Sequence, residues 1–395
     1  MHEQRKTRKV AIVHDWLPLY GGAERVLEQM LHVFPQADLF SMIDAIPSKE
    51  RAFLRHKSVR TSLVQRLPLA KTHYRNYLAL MPLLVEQFDL RGYDLVISNS
   101  YAVAKGVLTG PDQLHICYCC SPIRYAWDLQ QQYLEEAGLT RGLKGCMAKL
   151  LLHYIRIWDT RTAFGVNHFL TLSRYVGRRI RKTYGRDSTV IYPPVDVEKF
   201  ELGGRKEDFY FAASRMVPYK RMDLIVEAFA KMPKRRLVVV GDGPEMQKVR
   251  SKVGPNVELL GYQNDVVMRD LMQRARAFVF AAEEDFGIIP VEAQACGTPV
   301  IGYGRGGLTE TIVEGETGIL FTEQTPEALR YAVDDFENRQ GEFDANRIRR
   351  NAERFSVSRF RTEFAEFVEE KLEEFAVDQR KAVAKSLNRE GSIAV

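Results

Sequence analysis

The sequence predicts an α/β protein with two doubly wound domains, and three observations lead to that class. Its 395 residues exceed what one hydrophobic core usually serves, so two domains of about 200 residues each are expected. Short apolar runs alternate with amphipathic helical segments, a pattern typical of βα units and parallel sheets. The alternation stops at the stiff segment Tyr192-Pro193-Pro194-Val195-Asp196 and then restarts, so this segment is interpreted as the hinge between the domains.

We expect three stretches along the chain. Residues 1–192 form the first domain, residues 193–355 form the second, and residues 356–395 form a long helix followed by a tail. The helix is predicted over residues 357–377, where phenylalanines recur among acidic and basic residues. The polar tail from Ala382 onward is expected to fray.

Apolar runs and helical periods follow each other in order within each domain. The first domain has strands predicted at 9–13, 38–43, 94–98 and 114–119, and helices at 26–34, 143–164 and 173–184. The second has strands predicted at 208–213, 236–241, 257–260 and 277–282, and helices at 221–232, 244–253, 265–274, 328–336 and 345–354. The loops that follow parallel strands gather at one edge of the sheet, and ligands bind there.

Composition limits the class of protein. The chain has 57 Lys and Arg against 51 Asp and Glu, for a formal net charge of +6. Hydrophobic residues make up 45% and charged residues 27%, which is ordinary for a globular protein and excludes a largely disordered chain. The mild basic surplus suits acidic lipids or phosphorylated ligands. It is too weak to indicate nucleic acid, and basic and aromatic residues are not interleaved as in RNA-binding proteins.

Several features indicate a cytoplasmic protein. Residues 1–9 are polar and basic, and the apolar run over 10–13 is too short for a signal peptide, so none is expected. No stretch reaches the roughly 18 apolar residues of a membrane span. The cysteine count is odd, with Cys117, Cys119 and Cys120 crowded on one strand, which fits free thiols in a reducing compartment. The Cys-Tyr-Cys-Cys cluster could suggest a metal, but no second Cys or His pair lies at zinc spacing, so buried strand thiols and no metal site are expected.

Two glutamates flank the start of a predicted helix in the second domain. If the helix begins near Gly287, the N–H groups of Gly287, Ile288 and Ile289 are free to receive a diphosphate. Glu284 then precedes the helix and Glu292 lies inside it. Ionised carboxylates only accept hydrogen bonds, so the two suit the vicinal hydroxyls of a sugar and a ribose. On these residues alone, a helix-capping role for Glu284 and a solvated position for Glu292 stay open.

Two other loops follow predicted strands. Arg215 offers a planar fork and Lys220 a compact ammonium, a pair suited to a diphosphate leaving group, although a plain basic surface loop is also possible. Gly21 and Gly22 follow the first strand and precede a helix. Without side chains they let phosphates approach the backbone, although a simple turn explains them too.

Polar and aromatic groups crowd the loop after the strand at 114–119. Cys120, Arg124 and Tyr125 lie there, and such a composition on a loop is typical of a site. His14 ends the first strand and is a further candidate on this side. His115 lies inside an apolar strand run, which favours a core histidine.

Two segments could lean on a membrane surface. Residues 71–90 combine helical periodicity with basic and aromatic residues at one end, and residues 173–184 form a strongly basic helical face. A core helix interrupted by Pro82 and an ordinary solvated face are the alternatives.

The segment from Glu284 to Glu292 has seven residues between its two glutamates, among them Phe286 and Gly287, and it resembles the signature of retaining GT-B glycosyltransferases of family four. Other motifs are similar to those of the same family: the Gly-Gly-x-Glu loop at 21–24, the Arg-x-x-x-x-Lys spacing at 215–220, and the runs at 295–301 and 306–310. The resemblance covers most of both predicted domains.

The resemblance implies a GT-B fold, in which two Rossmann-like domains face each other and the last helix returns to the first domain. It implies transfer of a sugar from a nucleotide diphosphate donor, with retention at the anomeric carbon and with no metal or other cofactor. By the same resemblance, Glu284 lies beside the transferred sugar and Glu292 binds the donor ribose. Arg215 and Lys220 clamp the diphosphate, and the Gly21 loop lies near the donor phosphates.

Cys120 departs from the family pattern, because members usually have a histidine about there, near the anomeric carbon and the acceptor. A neutral thiol is a poorer hydrogen-bond donor than imidazole. This departure puts the acceptor-side chemistry in doubt, and whether His14 or His115 compensates stays open.

The whole sequence looks like a mannosyltransferase-type member that uses GDP-mannose. We expect an acceptor that is lipid-linked or a growing polysaccharide, at the cytoplasmic face of a membrane. Two alternatives stay open. One is a non-catalytic nucleotide-sugar-binding scaffold, which Cys120 makes conceivable. The other is a nucleotide-sugar 2-epimerase on the same fold, which would give no reason for the basic acceptor side.

Overall fold

The computed structural model describes residues 8–391, with side chains described to residue 381. The chain forms two compact units. The first comprises the chain up to Leu172, residues Val176–Ile191 and the chain from Phe360 onward. The second comprises Ser173–Tyr175 and Tyr192–Arg359.

The first unit is built on a sheet of seven parallel strands. They are β1 (Val10–His14), β2 (Asp38–Ser41), β3 (Val59–Thr61), β4 (Leu95–Ser100), β5 (Leu114–Cys119), β6 (His168–Thr171) and β7 (Thr189–Val190). Their order is β3-β2-β1-β4-β5-β6-β7. The order reverses between β1 and β4, which makes the carboxyl ends of those two strands the expected ligand edge. Strands β1, β4 and β5 are buried along their whole length, because helices cover both faces of a parallel sheet.

Six α-helices accompany this sheet in the described chain. They are α1 (Gly22–Val33), α2 (Ala70–His73), α3 (Met81–Val85), α4 (Gln130–Glu136), α5 (Gly142–Thr162) and α6 (Arg174–Tyr184). The first two residues of α6 belong to the second unit. The single helix suggested over residues 71–90 is wrong, because α2, a 3₁₀ turn at Tyr74–Tyr77 and α3 divide that segment. Pro82 lies in the first turn of α3, where a missing N–H costs nothing.

The second unit repeats the arrangement with six parallel strands. They are β8 (Tyr210–Ala213), β9 (Leu237–Val240), β10 (Val257–Leu259), β11 (Ala277–Phe280), β12 (Val300–Tyr303) and β13 (Gly318–Phe321), in the order β10-β9-β8-β11-β12-β13. Its helices are α7 (Met222–Ala230), α8 (Met246–Arg250), α9 (Asp265–Arg274), α10 (Ile288–Ala295), α11 (Leu308–Thr311), α12 (Pro326–Asn338) and α13 (Ala345–Glu353). The strand order reverses between β8 and β11, the expected ligand edge of this unit.

The last helix, α14 (Val357–Gly391), packs on the first unit. Phe360, Phe364, Val368 and Leu372 are buried in the same core cluster as strands β1, β4 and β5. The predicted return of this helix to the first half of the chain is therefore correct. The helix continues past Ala382 to Gly391, and the fraying of the tail stays a prediction. The first glycine or proline after residue 357 is Gly391, so the sequence offers no earlier helix terminator. Residues 392–395 lie outside the described part.

Candidate active site

The loops after β8 and β11 meet at the switch point of the second unit, and they place two predicted residues in contact. Lys220 Nζ forms an ion pair with Glu284 Oε1. Both side chains are mostly enclosed, at 16% and 17% exposure. The Lys220 ammonium also lies 5.3 Å from the ring centre of Tyr219 and 5.5 Å from that of Phe280. Glu284 therefore pairs with a lysine at the sheet edge. The alternative, in which Glu284 caps helix α10, is wrong.

Helix α10 begins as predicted. Gly287 occupies the N-cap with φ of 88° and, as a glycine, offers no capping side chain of its own. This left-handed conformation favours glycine. The first-turn N–H groups of Ile288 and Ile289 have no acceptor inside the helix, and they carry the positive end of its dipole. An anion is stabilised at such a place.

Glu292 lies one turn into α10 and is only 8% exposed. The alternative of a solvated helix residue is therefore wrong. A carboxylate that is buried in the wall of a loop edge can accept hydrogen bonds from hydroxyl groups of a ligand. The structure places Glu292 on the same helix whose first turn provides the free N–H groups.

Two glycines allow the loop after β12 to lie directly on the loop of Glu284. Gly307 N–H donates to the Glu284 carbonyl at 2.7 Å. A Cβ on Gly306 would lie 2.2 Å from that carbonyl oxygen, and Gly306 has φ of 69°. A Cβ on Gly307 would lie 2.4 Å from Phe286 Cα. The Glu284 loop is thus held by backbone contacts that any larger residue would break.

Arg215 lies on the β8 loop with Lys220, but the structure does not bring it into the ion pair. Its side chain is exposed, and it makes no hydrogen bond or ion pair with the residues that the structure describes. The backbone beside it is fixed, because Met216 N–H donates to Asp242 O at 2.9 Å. A Cβ on Gly241 would lie 1.9 Å from Ser214 O. Arg215 is a free cation on a rigid loop.

A second polar cluster of this unit was missed by the sequence reasoning. Glu310 accepts hydrogen bonds from the N–H groups of Arg174 and Tyr175, both at 2.9 Å. Tyr175 Oη donates to Glu283 Oε1 at 2.6 Å, and Tyr192 Oη donates to Glu310 Oε2 at 3.2 Å. The motif ending in Glu310 gave a signal, but its partners lie more than 100 positions away in sequence.

The edge of the first unit is organised around His14, at the end of β1. His14 is fully buried, and its Nε2 lies 3.2 Å from Glu24 Oε1. Gly21 N–H donates to the other oxygen of Glu24 at 3.0 Å. The glycine loop thus folds over a buried His14–Glu24 pair, and Gly22 begins α1. Glu24 was not singled out from the sequence, although the Gly-Gly-x-Glu motif contained it.

Asp15 was also missed, and it fixes the neighbouring loop. Its buried carboxylate accepts hydrogen bonds from four consecutive N–H groups, those of residues 101–104, at 2.6–2.8 Å. Burial raises the pKa of Asp15 from its ordinary value, whereas these N–H groups act in the opposite direction. The carboxylate ties the end of β1 to the loop after β4, the two sides of the switch point.

Cys120 lies at the edge beside β5 and is buried. Its Sγ donates to Asn99 Oδ1 at 3.2 Å, and Asn99 Nδ2 donates to Ala23 O at 2.8 Å. Asn99 also pairs with His14 in the β1–β4 register. The structure therefore links Cys120 to the glycine-loop helix through one amide side chain.

His115 does not take a place at this edge. It lies at the start of β5, fully buried, with Nε2 2.8 Å from Ser98 Oγ. Burial lowers the pKa of His115 to about 4, so it is neutral at ordinary pH. The interpretation as a core histidine fits this position.

Arg124 and Tyr125 lie on the loop after β5. Tyr125 Oη is buried without a hydrogen-bond partner among the described residues, and burial raises the pKa of this phenol. The loop is anchored further on, where Trp127 Nε1 donates to Asp159 Oδ2 at 2.7 Å. Asp159 is itself buried, and its Oδ1 lies 2.7 Å from Nζ of the buried Lys105.

All five cysteines are free thiols, with Cys146 alone exposed. Within residues 8–391, no group of three or more His, Cys, Asp and Glu side chains is placed to hold a metal ion. None of the described helices is both long enough and apolar enough to span a bilayer.

Comparisons with known proteins agree with this architecture. Residues 20–199 match the family described as Glycosyltransferase Family 4, and residues 196–355 match Glycosyl transferases group 1. Sucrose-phosphate synthase from Thermosynechococcus elongatus superposes with a TM-score of 0.72 at 17% identity, over 93% of this chain and 100% of that one. The Anabaena protein HepE in complex with UDP gives 0.67 at 17% identity, over 92% and 100%. The fold is therefore GT-B.

Three relatives show how the similarity is distributed. A D-inositol 3-phosphate glycosyltransferase of Mycobacterium avium is 31% identical, but the match spans only 33% of this chain and 36% of that protein. A GDP-mannose-dependent phosphatidylinositol monomannoside mannosyltransferase of Mycolicibacterium smegmatis is 28% identical over 42% and 51%. N-acetyl-alpha-D-glucosaminyl L-malate synthase of Bacillus anthracis is 39% identical over 59% of this chain and 67% of that protein. With that coverage and the two family matches, the chain belongs to glycosyltransferase family 4.

Proposed function

We propose that the protein is a retaining glycosyltransferase that moves a sugar from a nucleotide diphosphate donor to an acceptor hydroxyl. One observation supports it most. At the switch point of the second unit, the Lys220–Glu284 pair lies on the loops beside a helix N-terminus whose N-cap is a glycine, with Glu292 buried in the same helix. This arrangement supplies a cation and free N–H groups for a diphosphate, and carboxylates for sugar hydroxyls.

The chemistry follows from where charge develops. The bond between the anomeric carbon and the diphosphate oxygen breaks, and the leaving diphosphate gains negative charge. Lys220, Arg215 and the N–H groups of the first turn of α10 stabilise that charge, so the proposed reaction needs no metal ion. The acceptor oxygen bonds to the anomeric carbon on the face that the leaving group vacates, and its proton passes to the diphosphate or solvent.

The proposed donor is GDP-mannose, and the proposed acceptor is lipid-linked or a growing polysaccharide at the cytoplasmic face of a membrane. The printed name of the Mycolicibacterium relative supports both the donor and a lipid acceptor. The Anabaena neighbour was solved with UDP, so UDP-sugars are the competing donors. His14, Cys120, Arg124 and Tyr125 are the proposed acceptor-side residues.

The first experiment is a thermal-shift panel of GDP, UDP, ADP and TDP, without added metal, on the wild type and on Lys220→Ala. A ligand that binds only the folded protein raises the melting temperature by mass action. We expect GDP to give the largest shift and Lys220→Ala to lose it. The matched control is Lys234→Ala, an exposed lysine of the same unit, which should keep the shift.

The product then decides the reaction class. Proton NMR of the anomeric signal should show the configuration of the donor retained in the glycoside product. If a nucleotide binds but sugar is never transferred, the protein is the non-catalytic scaffold. Conversion of the sugar nucleotide without an acceptor, with inversion at carbon 2, would identify the epimerase instead.

A further inference from the structure

A row of large apolar side chains lies on the exposed side of helix α5. The five members within the helix recur every three or four positions, so they share one face of the helix, and the sixth follows seven positions later. Their exposed fractions run from 45% to 78%. We call the row the α5 stripe: Leu143, Met147, Leu150, Tyr154, Ile157 and, just past the helix end, Phe164.

Helix α5 is apolar on two faces. Leu152, Ile155 and Trp158 are buried in the core of the first unit, which explains one face. A helix at the surface of a globular protein normally has polar residues on the other. The α5 stripe is apolar instead, and none of the described residues covers it. A contiguous exposed apolar surface of this kind marks a contact with a protein or a membrane.

The exposed charges between positions 141 and 164 have one sign, although Arg161 Nη1 lies 3.8 Å from Oε1 of Glu86, outside this segment. Arg141, Lys144, Lys149 and Arg161 are all exposed. Asp159 is the only acidic residue between positions 141 and 164, and it is fully buried against Lys105. The exposed face therefore combines apolar side chains with cations and contains no carboxylate of its own helix.

We propose that the α5 stripe and its flanking cations bind the surface of an anionic lipid bilayer. The helix lies in the plane of the interface, its apolar side chains enter the acyl boundary, and its lysines and arginines contact lipid phosphates. From residue 143 to residue 164 the row is about 30 Å long. The inference gives a location to the membrane contact in the proposed function, but its test needs no sugar transfer.

Charge favours a bilayer over a second copy of the chain. The three-four spacing of the α5 stripe also suits a coiled coil. Coiled coils, however, place opposite charges along the two sides of the apolar seam. Here the exposed charges of the stripe's own segment are all cationic, so two copies would bring like charges together, whereas an anionic bilayer is complementary.

The test is co-sedimentation of the full chain with two kinds of vesicle, phosphatidylcholine alone and phosphatidylcholine mixed with phosphatidylglycerol. We expect binding to the mixed vesicles, weakened by added salt. The double variant Leu150→Ser, Ile157→Ser should bind them at least about tenfold more weakly, from the apolar area that no longer leaves water. The matched control is Val266→Ser, Tyr331→Ser, two exposed apolar residues of the second unit, which should bind like the wild type.

A second variant tests the charges of the α5 stripe separately from its apolar side chains. Lys144→Glu, Lys149→Glu reverses two exposed charges and should also lose binding to the mixed vesicles. Melting temperatures check that all variants are folded. Equal binding by the wild type and both α5 variants, or no binding to the mixed vesicles at all, would overturn the proposal.

Analytical ultracentrifugation separates the remaining partner. A wild-type dimer that Leu150→Ser, Ile157→Ser abolishes would assign the α5 stripe to a second copy and overturn the bilayer proposal. If the protein transfers sugar to a soluble acceptor but does not bind vesicles, the proposed function stands and the bilayer proposal is overturned. If the protein binds vesicles but transfers no sugar, the bilayer proposal stands and the proposed function is overturned.

Discussion

The two units share one topology but use it differently. In both, the strand order reverses next to the first strand, between β1 and β4 and between β8 and β11. The edge of the second unit exposes Arg215 and holds the mostly enclosed Lys220–Glu284 pair. The edge of the first unit buries His14, Glu24 and Cys120. One edge presents charge, whereas the other removes polar groups from water. There His14 pairs with Glu24 and Cys120 with Asn99, while Tyr125 Oη and His14 Nδ1 have no partner among the described residues.

The difference indicates what each edge is built to meet. A diphosphate is a strong anion, and cations with free N–H groups suit it. A sugar hydroxyl is neutral, and a desolvated wall of hydrogen-bonding groups suits it better than loose charge. The proposed function would place donor chemistry in the second unit and acceptor chemistry in the first, and four measurements can break or sharpen this comparison.

The largest effect is expected for Lys220→Ala. Losing the cation removes stabilisation of the leaving diphosphate and leaves Glu284 unpaired in a mostly enclosed position. We expect kcat/KM for sugar transfer to fall by about a hundredfold to a thousandfold. Steady-state kinetics measures this, with Lys234→Ala as the control. If His14→Gln lowered kcat/KM more than Lys220→Ala does, the proposed assignment of the leaving diphosphate to the edge of the second unit would be wrong.

The second measurement compares one glycine from each edge. A Cβ on Gly307 meets the backbone of Asp285 and Phe286 at 2.4–2.5 Å, and neither can move cheaply. We expect Gly307→Ala to cost about 3 kcal/mol of unfolding free energy. A Cβ on Gly21 meets only side chains, the Glu24 carboxylate at 3.1 Å and Leu19 Cδ1 at 3.4 Å, so Gly21→Ala should cost less than about 1 kcal/mol.

Denaturant titration measures both glycine variants, and Gly204→Ala, with open space around it, is the control. If Gly21→Ala is stable but uses the donor poorly, Gly21 serves ligand approach rather than folding. Equal destabilisation by the Gly307 and Gly21 substitutions would show that both loops are packed alike and would remove this part of the comparison.

The third measurement tests how strongly the first unit excludes charge. Burial lowers the pKa of His115 to about 4, whereas the unfolded chain has a value near 6.5. Above pH 6.5 both states are neutral and nothing is lost. As the pH falls from about 6.5 to about 4, His115 becomes protonated in the unfolded state but stays neutral in the folded state. The unfolding free energy therefore falls by about 3 kcal/mol.

His115→Gln keeps a hydrogen-bonding group near Ser98 but cannot titrate. Its unfolding free energy should therefore fall less steeply than that of the wild type over the same pH range. Denaturant titrations at several pH values measure the difference between the two proteins. If the unfolding free energies of the wild type and His115→Gln change with pH in the same way, His115 is protonated in the folded state. Water would then reach the interior around His115 despite its burial.

How far the sequence predicted each edge also differs. The segment from Glu284 to Glu292 and the Arg215–Lys220 loop are continuous in sequence, so their residues could be named and their helix placed at Gly287. The contact between Lys220 and Glu284 was not predicted, because it joins loops 64 positions apart. The roles of all these residues stay predictions.

The first edge was harder to predict because its residues act through distant partners. Asp15 binds N–H groups more than 85 positions away, and a single aspartate after a strand gives no sign of this. Glu24 lay in a recognised motif, but its burial against His14 depends on the tertiary fold. The seven-stranded sheet was predicted only in part, since β3, β6 and β7 are two to four residues long, too short for a periodic signal.

The smallest effect is expected at Cys120. Its thiol donates to Asn99, and Asn99 Nδ2 donates to Ala23 O of the glycine-loop helix, so a substitution acts on the edge of the first unit. Cys120→His should change kcat several-fold, because imidazole is the better hydrogen-bond donor. Donor affinity from thermal shift should stay within about twofold. Cys120→Ser, which keeps the size, is the control for packing. A change in donor affinity equal to the change in kcat would mean that the two edges do not divide donor and acceptor between them.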